Sequence, residues 1–195
     1  MKKSEVRKYY GQERNLLSKA ETEELSKKIF QNFAGTFSPE SNTSVHCYLP
    51  LKERNEVDTT LFLDYFHQRQ IRVFVPVVAG DEMHSVPLTP QTQLFLNKWG
   101  IAEPELVETP EIVYFDYVIV PLLYCDDRGN RVGYGKGFYD RFFAHINADA
   151  VKIGLSFFGP AESVDDVSPF DVPLDYLVTP AEVLSFGSAT SKPRK

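Results

Sequence analysis

Apolar runs with almost no polar interruption recur along this chain and alternate with amphipathic helical stretches. That alternation restricts the fold more than any other feature. Runs at 45–51, 71–78, 113–123, 151–157 and 176–179 read as strands, and 2–17, 20–34, 59–68 and 138–147 carry helical periodicity. In 20–34, Ala20, Leu25, Ile29, Phe30 and Phe33 form one apolar stripe, and Thr22, Glu23 and Glu24 suit its first turn. Strands that are apolar throughout need cover on both faces. The expected fold is α/β: a mostly parallel sheet flanked by helices on both faces, a Rossmann-like three-layer single domain. It is expected to span 1–184, with 185–195 a disordered basic tail. Residues 81–109 fit the rhythm less well and hold Pro87, Pro90 and Pro104; a short strand near Met83 and a short helix over 92–98 are expected there. Such sheets bind ligands beyond the C-terminal ends of their strands.

The run 129–141 is the densest chemical signal. Four of the 11 glycines fall within 129–137, Arg131 and Lys136 sit among them, and Asp140 closes the run. A glycine-rich cationic turn at a helix start can hold phosphate: backbone approaches closely, free N–H groups face the anion, and the cations neutralise it. A plain structural turn is the alternative. Walker A is excluded because Gly137 follows Lys136 where Ser or Thr is needed, and the glycines at 133, 135 and 137 do not space as G-x-G-x-x-G.

A net charge of −6 argues against nonspecific nucleic-acid binding, though not against a local basic pocket. Cys47 and Cys125 lie in apolar surroundings and read as buried free thiols. No signal peptide or transmembrane run is visible, so a cytoplasmic protein without a membrane partner is expected.

Four further clusters bear on function. Lys3 and Arg7 share a helical face, either as solvated charges or as phosphate ligands. Glu56 stands where a strand ends and Asp58 where a helix opens, so Asp58 suits an N-cap and Glu56 a ligand contact. Asp171 and Asp175 are either turn residues or, for Asp171 with Asp140, ligands to Mg²⁺ on a nucleotide. An apolar patch, 83–88 and 94–101 with the lone Trp99, is either satellite core or pocket wall.

Taken together these residues resemble the 5-formyltetrahydrofolate cyclo-ligase family, also called methenyltetrahydrofolate synthetase. The resemblance rests on Pro121-Leu122-Leu123 through Asp126, Arg128-Gly129-Asn130-Arg131, and Gly133-Tyr134-Gly135-Lys136-Gly137-Phe138-Tyr139-Asp140-Arg141. It extends to Lys3 and Arg7, Glu56-Val57-Asp58-Thr59, Trp99-Gly100-Ile101, Gly154-Leu155 and Asp171-Val172-Pro173-Leu174-Asp175. It implies ATP contacts at Lys3, Arg7, Arg131, Val132, Gly133, Tyr134, Gly135, Lys136, Gly137, Phe138 and Tyr139. It implies folate contacts at Leu51, Glu56, Tyr134, Gly135, Lys136, Gly137 and Phe138, with Trp99 available to pack the pterin. Mg²⁺ falls to Asp140 and Asp171, and catalysis to Lys136, Arg131 and Tyr139. The implied partners are the folate and ATP, and the implied state is a monomer. Pro160 stands where members often carry Gln, and Phe170 where they often carry His or Asn; 159–166 is therefore diverged.

The implied reaction is ATP- and Mg²⁺-dependent cyclisation of 5-formyltetrahydrofolate to 5,10-methenyltetrahydrofolate, with release of ADP and phosphate. A non-catalytic sensor or carrier of a phosphorylated metabolite or folate is the second reading, motivated by the diverged 159–166. Another small-molecule kinase is the third, disfavoured by the missing kinase motifs.

Overall fold

A computed structural model describes residues 1–97, 102–105 and 114–187, apart from the Lys52 side chain. The helices are α1 (Lys3–Leu16), α2 (Lys19–Thr36), α3 (Thr60–Gln68) and α4 (Phe138–Phe143). The strands are β1 (Ser44–Cys47), β2 (Arg72–Ala79), β3 (Glu82–Leu88), β4 (Leu94–Leu96), β5 (Ala102–Pro104), β6 (Tyr117–Pro121), β7 (Tyr124–Cys125), β8 (Arg131–Val132), β9 (Val151–Leu155), β10 (Tyr176–Val178) and β11 (Val183–Ser185).

Seven strands form the main sheet in the order β11-β10-β9-β6-β1-β2-β3. The inner five pair in parallel. Both edges are antiparallel, β3 on β2 and β11 on β10. Gly80 and Asp81 are the whole connection from β2 to β3, and so short a link can only join antiparallel neighbours.

Side-chain alternation divides the core into two layers. On one face Ile29, Phe33 and Phe37 of α2 and its C-terminal flank, with Phe62 and Phe66 of α3, cover Val45, Cys47, Val73, Ile119 and Ile153. On the other, Phe142 and Phe143 of α4 cover Val118, Val120 and Leu177. Helices therefore flank both faces, as expected. A third cluster joins α1 to the β7–β8 hairpin through Val6, Tyr10, Tyr124 and Val132.

Several boundaries differ from expectation. The first strand stops at Cys47 rather than 51: Pro50 has no N–H, the Tyr48 carbonyl accepts from the Thr59 hydroxyl at 2.7 Å, and the Leu51 N–H goes to Glu56. The helix expected over 92–98 is instead β4, paired with β5; a short apolar run does not distinguish the two. The fourth helix ends at Phe143, and Asn147 instead bonds both backbone groups of Phe115 at 2.8 Å. The expected tail boundary falls inside β11, where Ser185 pairs with Tyr176 and Phe186 packs on the second core layer. The rest of that tail, 188–195, lies outside the described residues.

Candidate active site

β1 lies between β6 and β2, so the chain order reverses there. The crevice beyond such a reversal is where ligands of open α/β sheets bind. A cavity of about 530 Å³ occupies it, floored by Tyr48 and Leu49 after β1 and Pro121 at the end of β6. One wall is the β2–β3 hairpin through Val78, Gly80, Asp81 and Met83, with Ala102 and Glu103 beside it. The other is the glycine loop, 133–137, with the start of α4.

That loop does not follow β6 directly, because the β7–β8 hairpin intervenes. Asp126, buried, builds the hairpin turn. Its Oδ1 accepts from the Arg128 and Asn130 N–H groups at 3.0 and 2.9 Å, and its Oδ2 from the Asn130 side chain at 2.9 Å. Gly129 fits the turn with φ +83°, and a Cβ there would stand 2.8 Å from the Leu174 carbonyl oxygen. The turn delivers Arg131 to the cavity. Further on, Gly135 has φ +86°, and its bare Cα lets the Arg7 guanidinium close in: a Cβ would lie 3.2 Å from Arg7 Cζ.

The cations and carboxylates pair across elements. Lys3 Nζ donates to Asp171 Oδ2, and Arg131 Nη2 to Asp140 Oδ1 at 2.5 Å. Burial works to raise the Asp171 carboxyl pKa, but the Lys3 ammonium and the Ser168 N–H outweigh it and hold the group below its usual value. Arg7 Nε donates to the Gly133 carbonyl at 2.9 Å. Lys136 is exposed and has no ion-pair partner among the described residues.

Glu56 closes the far end, only 5% exposed. Its Oε1 accepts from the Tyr134 hydroxyl at 2.5 Å and its Oε2 from the Leu51 N–H at 2.8 Å. Arg14 Nη2 donates to the same hydroxyl at 2.6 Å. Burial raises the Glu56 pKa, with those hydrogen bonds and Arg14 opposing it. Arg14 was not singled out from the sequence. Its signal is spacing: Lys3, Arg7, Tyr10 and Arg14 recur at intervals of four, three and four along one face of α1. A charge on the buried stripe beside Val6 and Tyr10 marks a polar partner inside.

Tyr139 lines the cavity, and its buried hydroxyl has no hydrogen-bond partner among the described residues. His46 and Cys47 cannot form a catalytic pair, because adjacent strand residues face opposite sides of the sheet. The His46 ring lies 4.6 Å from Phe142 on the α4 side, and Cys47 packs in the α2–α3 layer.

Lys3, Arg7, Leu51, Glu56, Arg131, Gly133, Tyr134, Gly135, Lys136, Gly137, Phe138, Tyr139, Asp140 and Asp171 all line this one cavity. Val132 does not; its side chain packs under α1 with Val6 and Tyr10. Trp99 lies outside the described residues. None of 159–166 lines the cavity. That segment instead braces α1: Asp166 Oδ1 accepts from the Lys3 N–H at 2.7 Å, and the Asp165 N–H donates to the Met1 carbonyl at 3.0 Å.

No group of three or more His, Cys, Asp or Glu side chains converges on a metal position among the described residues. Asp140 and Asp171 each keep one carboxylate oxygen, Oδ2 and Oδ1, without a protein hydrogen bond among those residues. That donor set suits Mg²⁺ carried in on phosphate oxygens, which needs one or two carboxylates. No helix among the described residues is long and apolar enough to cross a membrane.

The model of the 5-formyltetrahydrofolate cyclo-ligase family matches residues 1–180. A 5-formyltetrahydrofolate cyclo-ligase from Mycoplasma pneumoniae is 29% identical over 184 residues, covering 91% of this chain and 98% of its own. The solved 5,10-methenyltetrahydrofolate synthetase of Aquifex aeolicus superimposes with a TM-score of 0.74 at 28% identity, over 98% of this chain and 96% of that one. A 5,10-methenyltetrahydrofolate synthetase structure from Mycoplasma pneumoniae gives 0.70 at 27% identity, over 92% and 99%.

Proposed function

The chain belongs to the 5-formyltetrahydrofolate cyclo-ligase family, and we propose that it spends ATP to cyclise 5-formyltetrahydrofolate to 5,10-methenyltetrahydrofolate, releasing ADP and phosphate. The observation that carries this reading is the single cavity joining a cationic glycine loop at one end to a buried carboxylate, Glu56, at the other.

A formamide oxygen is a poor leaving group. In the proposed reaction it takes the γ-phosphoryl of ATP, and ADP departs. N10 then attacks the activated carbon and gives up its proton, the carbon–oxygen bond breaks, and phosphate leaves carrying that proton as the ring closes. Such chemistry asks the protein for positioning and charge neutralisation, not for a nucleophile. Lys3, Arg7, Arg131 and Lys136 supply positive charge to the triphosphate, joined by N–H groups of 132–139. Asp140 and Asp171 would hold Mg²⁺, which supplies further neutralisation of phosphate charge. Their present partners, Arg131 and Lys3, keep the carboxylates satisfied until nucleotide arrives. Glu56 and Tyr134 receive the folate head, with Leu51 and Phe138 as apolar contacts. The hydroxyl of Tyr139 awaits a partner that substrate would provide.

Two buried free thiols suit a reducing cytosol. The sensor reading loses its motive, because the diverged 159–166 lies away from the cavity. The test is phosphate release from ATP that requires 5-formyltetrahydrofolate, followed with the rising absorbance of the methenyl product. Tight binding of both ligands without turnover would favour the sensor.

A further inference from the structure

Arg141 belongs to α4 but does not line the cavity, and its side chain is exposed. Its Nη1 donates to the Lys136 carbonyl at 3.0 Å and its Nη2 to the Asp81 carbonyl at 3.0 Å. Its Cζ lies 5.1 Å from the centroid of the Phe138 ring. One planar cation therefore spans the two opposing walls. Neither carbonyl accepts another hydrogen bond among the described residues. Both belong to turns built on left-handed glycines: Gly80 at φ +63° beside Asp81, and Gly135 and Gly137 at +86° and +66° around Lys136. Gly137 also leaves room for the guanidinium, since a Cβ there would stand 3.1 Å from Nη1.

We propose that Arg141 is a positioning residue that clamps the loop bearing Lys136 to the β2–β3 turn, and so couples nucleotide held on that loop to a folate lying against the opposite wall, which Val78 and Met83 line. The inference rests on the two-substrate reading of that cavity. Both turns rest on left-handed glycines, and Arg141 ties one to the other. A ligand that orders one wall then orders the other through Arg141, so the second ligand finds part of its ordering entropy already spent. The guanidinium fork holds two carbonyls at a fixed separation; a lysine ammonium, a point charge on a flexible stem, does not.

The affinity of the full chain for 5-formyltetrahydrofolate, by calorimetry, with and without the Mg²⁺ complex of β,γ-methylene-ATP, tests this. The wild type is expected to bind the folate about fivefold or more tightly with the nucleotide analogue present, and reciprocally. In Arg141→Ala that factor is expected to fall to about one, with the thermal midpoint held. A merely structural role would move the midpoint and leave the factor. Should Arg141→Ala not fold, Arg141→Lys is read for the same factor. Wild-type coupling retained in a folded variant overturns the clamp, as does a wild type that turns over substrate without coupling. A wild type that binds no 5-formyltetrahydrofolate sinks the cyclo-ligase reading, and the clamp with it.

Discussion

The Tyr134 hydroxyl donates to the Glu56 carboxylate at 2.5 Å across a gap of 78 residues. It joins the glycine loop to the connection between β1 and α3, and thus the cationic end of the cavity to its carboxylate end. Tyr134→Phe removes this donor and leaves Glu56 buried with less support. About a tenfold loss in kcat/KM for the folate is expected, a cost of the size of one lost bond to a buried charge. Steady-state kinetics with each substrate varied checks it; a rise confined to the ATP KM would contradict the assignment of Glu56 to the folate.

Lys136 is the cation of the loop with no ion-pair partner among the described residues, and the proposed reaction assigns its charge to phosphate. Lys136→Ala is expected to lower kcat by about a hundredfold or more while the protein stays folded, because its exposed side chain supports no core contact. Phosphate release and a thermal melt measured on the same sample check both halves. Full activity would remove the loop from the mechanism.

Metal removal should separate activity from stability. Lys3 and Arg131 already satisfy the two carboxylates, so the fold is expected to stand without a metal. Excess chelator is expected to abolish turnover and leave the melting midpoint in place. Asp140→Asn is expected to lower kcat and to raise the Mg²⁺ concentration needed for half-maximal rate. A midpoint that falls on chelation would point instead to a structural metal.

His46 is fully buried, with neither ring nitrogen hydrogen-bonded among the described residues, and burial pushes its pKa from 6.5 down to about 3. The folded state therefore holds it neutral while the unfolded chain protonates it. Above pH 6.5 both states are neutral and it contributes no pH dependence. Between that value and about 3 the unfolded state binds the extra proton, so stability falls as pH falls, by about 1.4 kcal/mol per unit at most. His46→Leu should flatten this part of the stability profile and be neutral or stabilising at pH 7. Denaturant melts from pH 7 to 5 check it, and an unchanged slope would refute it.

The strand–helix rhythm was legible in the sequence because periodicity is local. The α2 stripe of Ile29 and Phe33 and the apolar run of β6 each announce an element within a few residues. The density of glycine and charge in 129–141 was legible for the same reason. Segments without a decisive period were not: β4 read as a helix, and the β7–β8 hairpin fell between the strand read over 113–123 and the glycine loop, and within that loop.

By itself, the sequence determined an α/β sheet protein and, through its motif, a family. Only the tertiary structure decided which charges meet. Lys3 pairs with Asp171 and Tyr134 with Glu56 because the sheet order sets β1 beside β6 and α1 against the β7–β8 hairpin. Such pairings join distant parts of the chain, and residue spacing carries no information about them. The same closure places Arg141 between two turns and leaves Val132 in the core, although both stand in one motif.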